Sequence, residues 1–157
     1  PAKPRHSSSG IIVEGLDNCM VKFSKCCTPV PGDPVVGFIT RGYGVSVHRT
    51  DCPNATPEKQ QAEPGRWVQV SWVDSDQEYY QTSLEISAKD RDGLALDVAM
   101  ALSTQKVKVN NLSARSQPDG YATVYLVLSV KDKSELASVI NKLSQVQGVF
   151  LVKRAGG

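Results

Sequence analysis

No stretch of this chain is apolar for long enough to span a bilayer, and no signal-peptide pattern opens it. The expectation is a cytoplasmic protein with no membrane partner. An excess of one charge is missing too: 18 Lys/Arg against 16 Asp/Glu leave a formal net charge of +2, too little to argue nucleic-acid binding from totals. No glycine-rich loop leads into a helix carrying a lysine, so machinery for nucleotide transfer is not visible. An initiating methionine is also absent, which reads as an excerpt of something longer. What remains, 40% apolar and 22% charged residues, is ordinary for a globular chain of one domain or two small ones.

The most informative residues are Cys26 and Cys27 side by side, then His48, then Cys52. Three thiols and an imidazole are a ligand set for a tetrahedral structural zinc. They sit in a Gly- and Pro-rich segment with little apolar mass, which a metal or a neighbouring surface must hold together. A vicinal pair with a nearby His suits metal ligation in a reducing compartment better than a secreted disulfide framework. The His-x3-Cys spacing is ordinary for such sites; the adjacent pair is not. Consecutive side chains on a strand point to opposite faces, so both thiols reach one metal only where the backbone bends, and Pro29 and Pro31 supply a reason for it to bend. Two other readings stand beside zinc: small buried thiols with little affinity for metal, or a vicinal disulfide acting as a redox switch. Cys19 lies outside the pattern and reads as a buried thiol.

The fold class expected is α+β, a small Gly/Pro-rich β domain followed by a ferredoxin-like βαββαβ domain. Residues 1–9 read as a flexible lead-in, 10–73 as the first domain with a polar connection at 53–66, and 74–157 as the second. In the first domain, Ile11–Val13 and Met20–Phe23 read as short strands. Three prolines exclude helix from Thr28 to Pro34, and Val35–Ile39 with Val45–His48 reads as a hairpin about Arg41-Gly42-Tyr43-Gly44. Trp67–Val73 is one more strand, of either domain. In the second domain, Thr82, Leu84, Ile86 and Ala88 alternate with polar residues, and Leu94, Val98, Ala101 and Leu102 follow helical spacing. Val107–Ala114 and Tyr121–Val130 are two strands about a Pro118-Asp119-Gly120 turn. Asp132 with Glu135 opens a second helix, Gly148 closes it, and Val149–Lys153 is the last strand.

The run Lys25-Cys26-Cys27-Thr28-Pro29-Val30-Pro31-Gly32-Asp33, with Gly37-Phe38-Ile39-Thr40-Arg41-Gly42 and Val45-Ser46-Val47-His48-Arg49, resembles the zinc-finger (or ribosome-intersubunit) domain of the RelA/SpoT stringent-response proteins. These are long synthetases and hydrolases of the alarmone (p)ppGpp. The second half, with Asp90-Arg91-Asp92-Gly93-Leu94, Asn110 and Gly148-Val149, resembles their ACT domain. The likeness covers roughly residues 10–54 and 79–154. It implies a non-catalytic regulatory region whose parent chain carries the catalytic half. The hydrolase chemistry of that family needs a His-Asp motif, and neither His6 nor His48 is followed by Asp.

The resemblance also implies partners. Ribosome-bound members lay these domains among ribosomal RNA and deacylated tRNA, so Lys22, Lys25, Arg41 and Arg49 would neutralise phosphates and Tyr43 would stack on a base. Residues 20–49 hold those four cations against Asp33 alone, although a solvated face is the competing reading. Amino-acid-sensing ACT domains bind their ligand at the loop before the first helix, which puts Asp90, Arg91, Asp92, Gly93 and Leu94, with Asn110, at a site for a branched-chain amino acid. Against this, Gly93 could serve only the tight turn while Asp90 or Asp92 caps the helix. Pairing of ACT domains implies a homodimer, and autoinhibition of the catalytic half is a further role.

Overall fold

The computed structural model describes residues 6–16, 19–42 and 44–155. The chain forms two compact units, the first ending at Glu78 and the second beginning at Tyr79. The first contains β1 (His6–Ser7), β2 (Ile11–Val13), β3 (Val21–Phe23), β4 (Val35–Thr40), β5 (Gly44–Arg49), α1 (Pro57–Ala62), a 3-10 turn at Pro64–Arg66, β6 (Trp67–Val68), β7 (Val70–Trp72) and β8 (Asp74–Ser75). Its main sheet has the order β3-β5-β4-β6, and β2 pairs with β7 in a second, two-stranded sheet. The expected hairpin is present, with β4 and β5 antiparallel from Val35↔Arg49 to Thr40↔Gly44. Between the sheets lies a small aliphatic core of Ile11, Val13, Val45, Val47 and Val70.

Three expectations need correction. Residues 6–9 are not an unstructured lead-in: β1 runs parallel to β8, which also draws Asp74 and Ser75 into the first unit. The connection at 53–66 contains the helix α1, because Thr56 caps it through its hydroxyl on the Lys59 N–H (3.3 Å) and Pro57 occupies its first turn. Trp67–Val73 is two strands rather than one. Gln69 breaks the run, so that Trp67–Val68 joins β4 while Val70–Trp72 joins β2, and the whole stretch belongs to the first unit.

The second unit is β9 (Tyr80–Lys89), α2 (Leu94–Thr104), β10 (Lys108–Ser116), β11 (Tyr121–Val130), α3 (Lys133–Ser144) and β12 (Val149–Ala155). This is the expected βαββαβ order, folded into a four-stranded sheet β10-β11-β9-β12 with both central strands antiparallel to their neighbours. Period-2 alternation puts Leu84, Ile86, Val124, Leu126 and Leu128 on one fully buried face. Leu94, Val98 and Leu102 of α2 and Leu136, Val139 and Leu143 of α3 are buried with them. Asp132 caps α3 on the Glu135 N–H at 2.8 Å, and the Glu135 carboxylate accepts from the Lys131 N–H.

Candidate metal centre

After β3 the chain does not continue as a strand. The Cys27 and Thr28 N–H groups both donate to the Ser24 carbonyl (3.4 and 2.9 Å), closing a tight turn. The turn ends at Thr28 with φ +44°, a left-handed conformation that a β-branched residue rarely takes. That turn is the bend the sequence required, and it swings Cys26 and Cys27 to one side. Next, Pro29–Pro34 is fixed by Asp33, whose buried carboxylate accepts from the Val30 N–H at 2.8 Å. His48 arrives from β5, and Cys52 from the turn that follows it, whose N–H donates to the Arg49 carbonyl at 3.0 Å.

The four side chains converge. Cys26 Sγ lies 3.3 Å from His48 Nδ1, 3.4 Å from Cys52 Sγ and 4.0 Å from Cys27 Sγ, and Cys27 Sγ lies 3.9 Å from His48 Nδ1. All four ligand atoms fall within 4.8 Å of one another. A tetrahedral zinc with bonds of about 2.3 Å to sulfur and about 2.0 Å to nitrogen spaces its ligands roughly 3.4–3.8 Å apart. The set could therefore hold a metal ion with small adjustments. At 4.0 Å the vicinal sulfurs are free thiols rather than a disulfide, and Cys19 is half-buried against the aliphatic core, outside the cluster.

Its electrostatics point the same way. Burial, only partly offset by the Arg49 backbone N–H, pushes the Cys27 thiol up to about 12. Burial also raises Cys52, which accepts from the Asn54 N–H at 3.4 Å. At Cys26 burial acts upward too, but hydrogen bonds from Ser24, Asn54, Cys52 and Cys27 together outweigh it and lower the thiol. Burial lowers His48, which keeps its imidazole neutral and able to donate a lone pair. Three thiolates so close cannot all be charged in a buried space unless a cation sits among them.

Sequence reasoning missed the partners of this cluster. Trp67 from β6 lies against His48 (centroids 5.9 Å apart), and Val36, Ala55 and Trp67 close a small hydrophobic cluster around Cys27 and Cys52. The candidate ligands Cys27 and Cys52 are thus themselves part of the local core. A signal for one partner was legible: Cys52-Pro53-Asn54 is a turn in which the second residue on can donate its N–H to the sulfur.

The other expected sites are distributed as follows. Lys22 is exposed on β3, Lys25 is exposed in the Ser24–Thr28 turn, and Arg41 is exposed at the β4–β5 tip. Arg49 is different, since its side chain is only 14% exposed and lies 3.4 Å from Asp51. Tyr43 lies outside the described residues. In the second unit, Asp90–Leu94 forms one wall of a cavity of about 430 Å³ that continues along Ala95, Leu96, Ala114, Arg115, Ser116 and Ala122. Gly93 is the N-cap of α2 at φ +78°, and no side chain caps that helix, Asp90 and Asp92 included. Arg91 is committed internally, donating to Asp97 (2.7 Å) and to the carbonyls of Gln147 and Asp92. Asn110 is not part of this cavity; it bonds Ser129 at 2.9 Å beside a bulge in β10.

Comparison with known proteins agrees with both units. Residues 11–73 match the RelA/SpoT RIS domain family and residues 76–154 the ACT domain family. The chain is 39% identical over 155 residues to the bifunctional (p)ppGpp synthase/hydrolase RelA of Mycobacterium tuberculosis, covering 98% of this chain and 21% of that protein. It is 35% identical over its full length to the GTP pyrophosphokinase of Escherichia coli, again 21% of the relative. It therefore spans about a fifth of the length of these relatives. The crystal structure of the ACT domain from the GTP pyrophosphokinase of Chlorobium tepidum is 27% identical, with a TM-score of 0.43 over 47% of this chain and 95% of that one.

Proposed function

Since the chain belongs to the RelA/SpoT family, as a RIS domain followed by an ACT domain with no catalytic domain in either, we propose that it regulates the (p)ppGpp synthetase/hydrolase of which it is the C-terminal part. In this role it couples ribosome and uncharged-tRNA status to alarmone metabolism in the cytoplasm. Among the described residues no helix is long and apolar enough to cross a membrane, which suits that setting. The observation that carries the reading is the Ser24–Thr28 turn, in which the exposed Lys25 directly precedes the cluster residues Cys26 and Cys27. A structural zinc held by Cys26, Cys27, His48 and Cys52 would fix that turn. It would also fix the cation it presents, on the same unit as the exposed Lys22 of β3 and Arg41 of the hairpin tip.

Lysine and arginine held on a rigid scaffold neutralise RNA phosphates without reading sequence. Charge reversal of Lys25 and Arg41 to Glu is expected to weaken binding to ribosomes loaded with deacylated tRNA. Each reversal should also lower the log–log salt slope by about one. Equal affinity and slope in the double variant, measured by sedimentation across a salt series, would remove RNA from the partners of this face.

The cavity at Asp90–Leu94 supports a second reading, an amino-acid sensor of the catalytic half. Because α2 starts on Gly93 without a side-chain cap, the Ala95 and Leu96 N–H groups of its first turn are left for a carboxylate, and the cavity they line has the size of a small-molecule site. Calorimetric titration with valine, leucine and isoleucine is expected to show saturable binding that Gly93→Arg abolishes while the melting transition survives. Silence through millimolar amino acid would leave the loop as a turn.

A further inference from the structure

A second cavity of the ACT unit lies at the other end of β9 from the Asp90–Leu94 loop, and its chemistry is unlike that of the first. It measures about 480 Å³ and is lined by Tyr79, Lys106, Lys108, Ser129, Lys131 and Glu135, with Gln105 and Val107 between. Three lysines and one carboxylate, Glu135, thus line one depression, an excess of two positive charges. Among the described residues, none of the three is in an ion pair, although carboxylates elsewhere on this unit are paired to Arg91 and Lys153. Lys131 instead places its ammonium 5.9 Å over the ring of Tyr79, which is 49% exposed.

The backbone accounts for the place of one of these lysines. Helix α2 ends at Thr104 with Gln105 as its C-cap, and the next residue, Lys106, takes φ +57°, one of only two positive-φ non-glycine residues among those described. This is the position where helices ordinarily place glycine, because a Cβ is strained in the left-handed region. Compensation of the helix dipole does not explain a lysine here. The last turn of α2 has no basic residue, and a lysine within it would serve the dipole without strain. The left-handed turn lets the Lys106 N–H donate to the Ser103 carbonyl (3.0 Å) and the Val107 N–H to the Leu102 carbonyl (3.4 Å), a helix stop that sets an exposed lysine on the wall of the cavity.

We propose that this cavity binds a ligand carrying two or more clustered phosphates and an aromatic base, the chemistry of a nucleoside di- or polyphosphate. Lys106, Lys108 and Lys131 would hold the phosphates, and the Tyr79 ring offers a face on which a base can stack. The volume is within the range of small-molecule sites. A single-stranded RNA end offers the same groups, so the test carries both sources. The site is distinct from the amino-acid loop and from the basic edge of the RIS unit, and stands or falls separately from either.

The experiment is an NMR titration of the 157-residue chain, followed through its backbone amides. The probes are GDP, ADP, inorganic tripolyphosphate and a short single-stranded RNA. Both diphosphates and tripolyphosphate are expected to shift the amides of Lys106, Lys108 and Lys131 saturably. Lys131→Gln and Lys106→Gly should each weaken GDP about tenfold, the effect of losing one charge-assisted contact. Tyr79→Leu should weaken the nucleotides but not tripolyphosphate. Lys106→Gly carries the decisive contrast, because removing the strained side chain should raise the melting temperature while affinity falls. Loss of both affinity and stability in that variant, or no shift at these amides at millimolar nucleotide, overturns the proposal. Shifts with RNA and none with GDP or ADP overturn the nucleotide assignment.

Discussion

Removing metal from the purified chain is expected to unfold the first unit and leave the second folded. A structural zinc contributes apparent binding free energies of about 10–16 kcal/mol in small metal-dependent domains, on the order of the whole stability of an ordinary domain. Here the unit that would depend on it has an aliphatic cluster of five buried residues, and its other cluster is made partly of Cys27 and Cys52 themselves. The ACT unit has a core of its own: the buried positions of both helices are apolar, and they pack with the Leu84, Ile86, Val124, Leu126 and Leu128 face. Both tryptophans, Trp67 and Trp72, are in the first unit, so their fluorescence reports on that unit alone. After a tight chelator, Trp67, packed against His48, should lose its environment while the far-UV signal of the second unit persists. Re-addition of zinc should restore it at one equivalent and release protons. The thiols of the unfolded, metal-free unit are mostly protonated at neutral pH, so Cys26, Cys27 and Cys52 would each give up about one proton on binding. An unchanged tryptophan signal in protein shown by elemental analysis to be metal-free would mean that thiols and aromatics alone hold this unit.

How much of this was legible in the sequence follows the length over which each signal is written. The ACT unit repeats its pattern over ten-residue strands and helices of 11 and 12 residues, so its order could be read directly. The first unit is built from strands of two to six residues, too short for periodicity to accumulate. There the hairpin was visible because Gly42 and Gly44 punctuate it, whereas β1 and β8 were not, since their pairing is long-range and only two residues deep. The helix α1 was overlooked for a different reason. It buries no residue and so writes no apolar stripe, but Thr56-Pro57 announces its start. The candidate ligands were readable as residue types; their meeting was not, because it depends on Thr28 adopting a left-handed conformation that its side chain disfavours. The basic residues divide similarly. Exposure of Lys22, Lys25 and Arg41 is what their surroundings suggest, but the near-burial of Arg49 beside Asp51 comes from the turn that carries Cys52.

Substitution of Gly44 by alanine is expected to destabilise the first unit by about 2–4 kcal/mol, while Gly42→Ala costs about 1 kcal/mol. The two glycines belong to the same tip and both have positive φ, +74° at Gly42 and +125° at Gly44. Their surroundings separate them. A Cβ at Gly42 would have nothing within 4 Å, whereas one at Gly44 would overlap the Met20 carbonyl oxygen, a backbone atom that cannot rotate away. That carbonyl also accepts the Val45 N–H at 2.8 Å, the bond that begins the parallel pairing of β3 with β5. Pushing it aside should release β3, only three residues long, together with Lys22 on it and the Ser24–Thr28 turn beyond it. If this edge contacts the ribosome as proposed, binding should then fall in Gly44→Ala although no charge has changed, and it should be retained in Gly42→Ala. Denaturant unfolding followed by tryptophan fluorescence measures the stability of the unit that carries both sites. If the two variants prove equally stable, the approach of β3 to the hairpin is not what orders this edge. If Gly44→Ala is unstable yet binds as tightly as the parent, the cations act without the scaffold, and the metal would serve the fold alone.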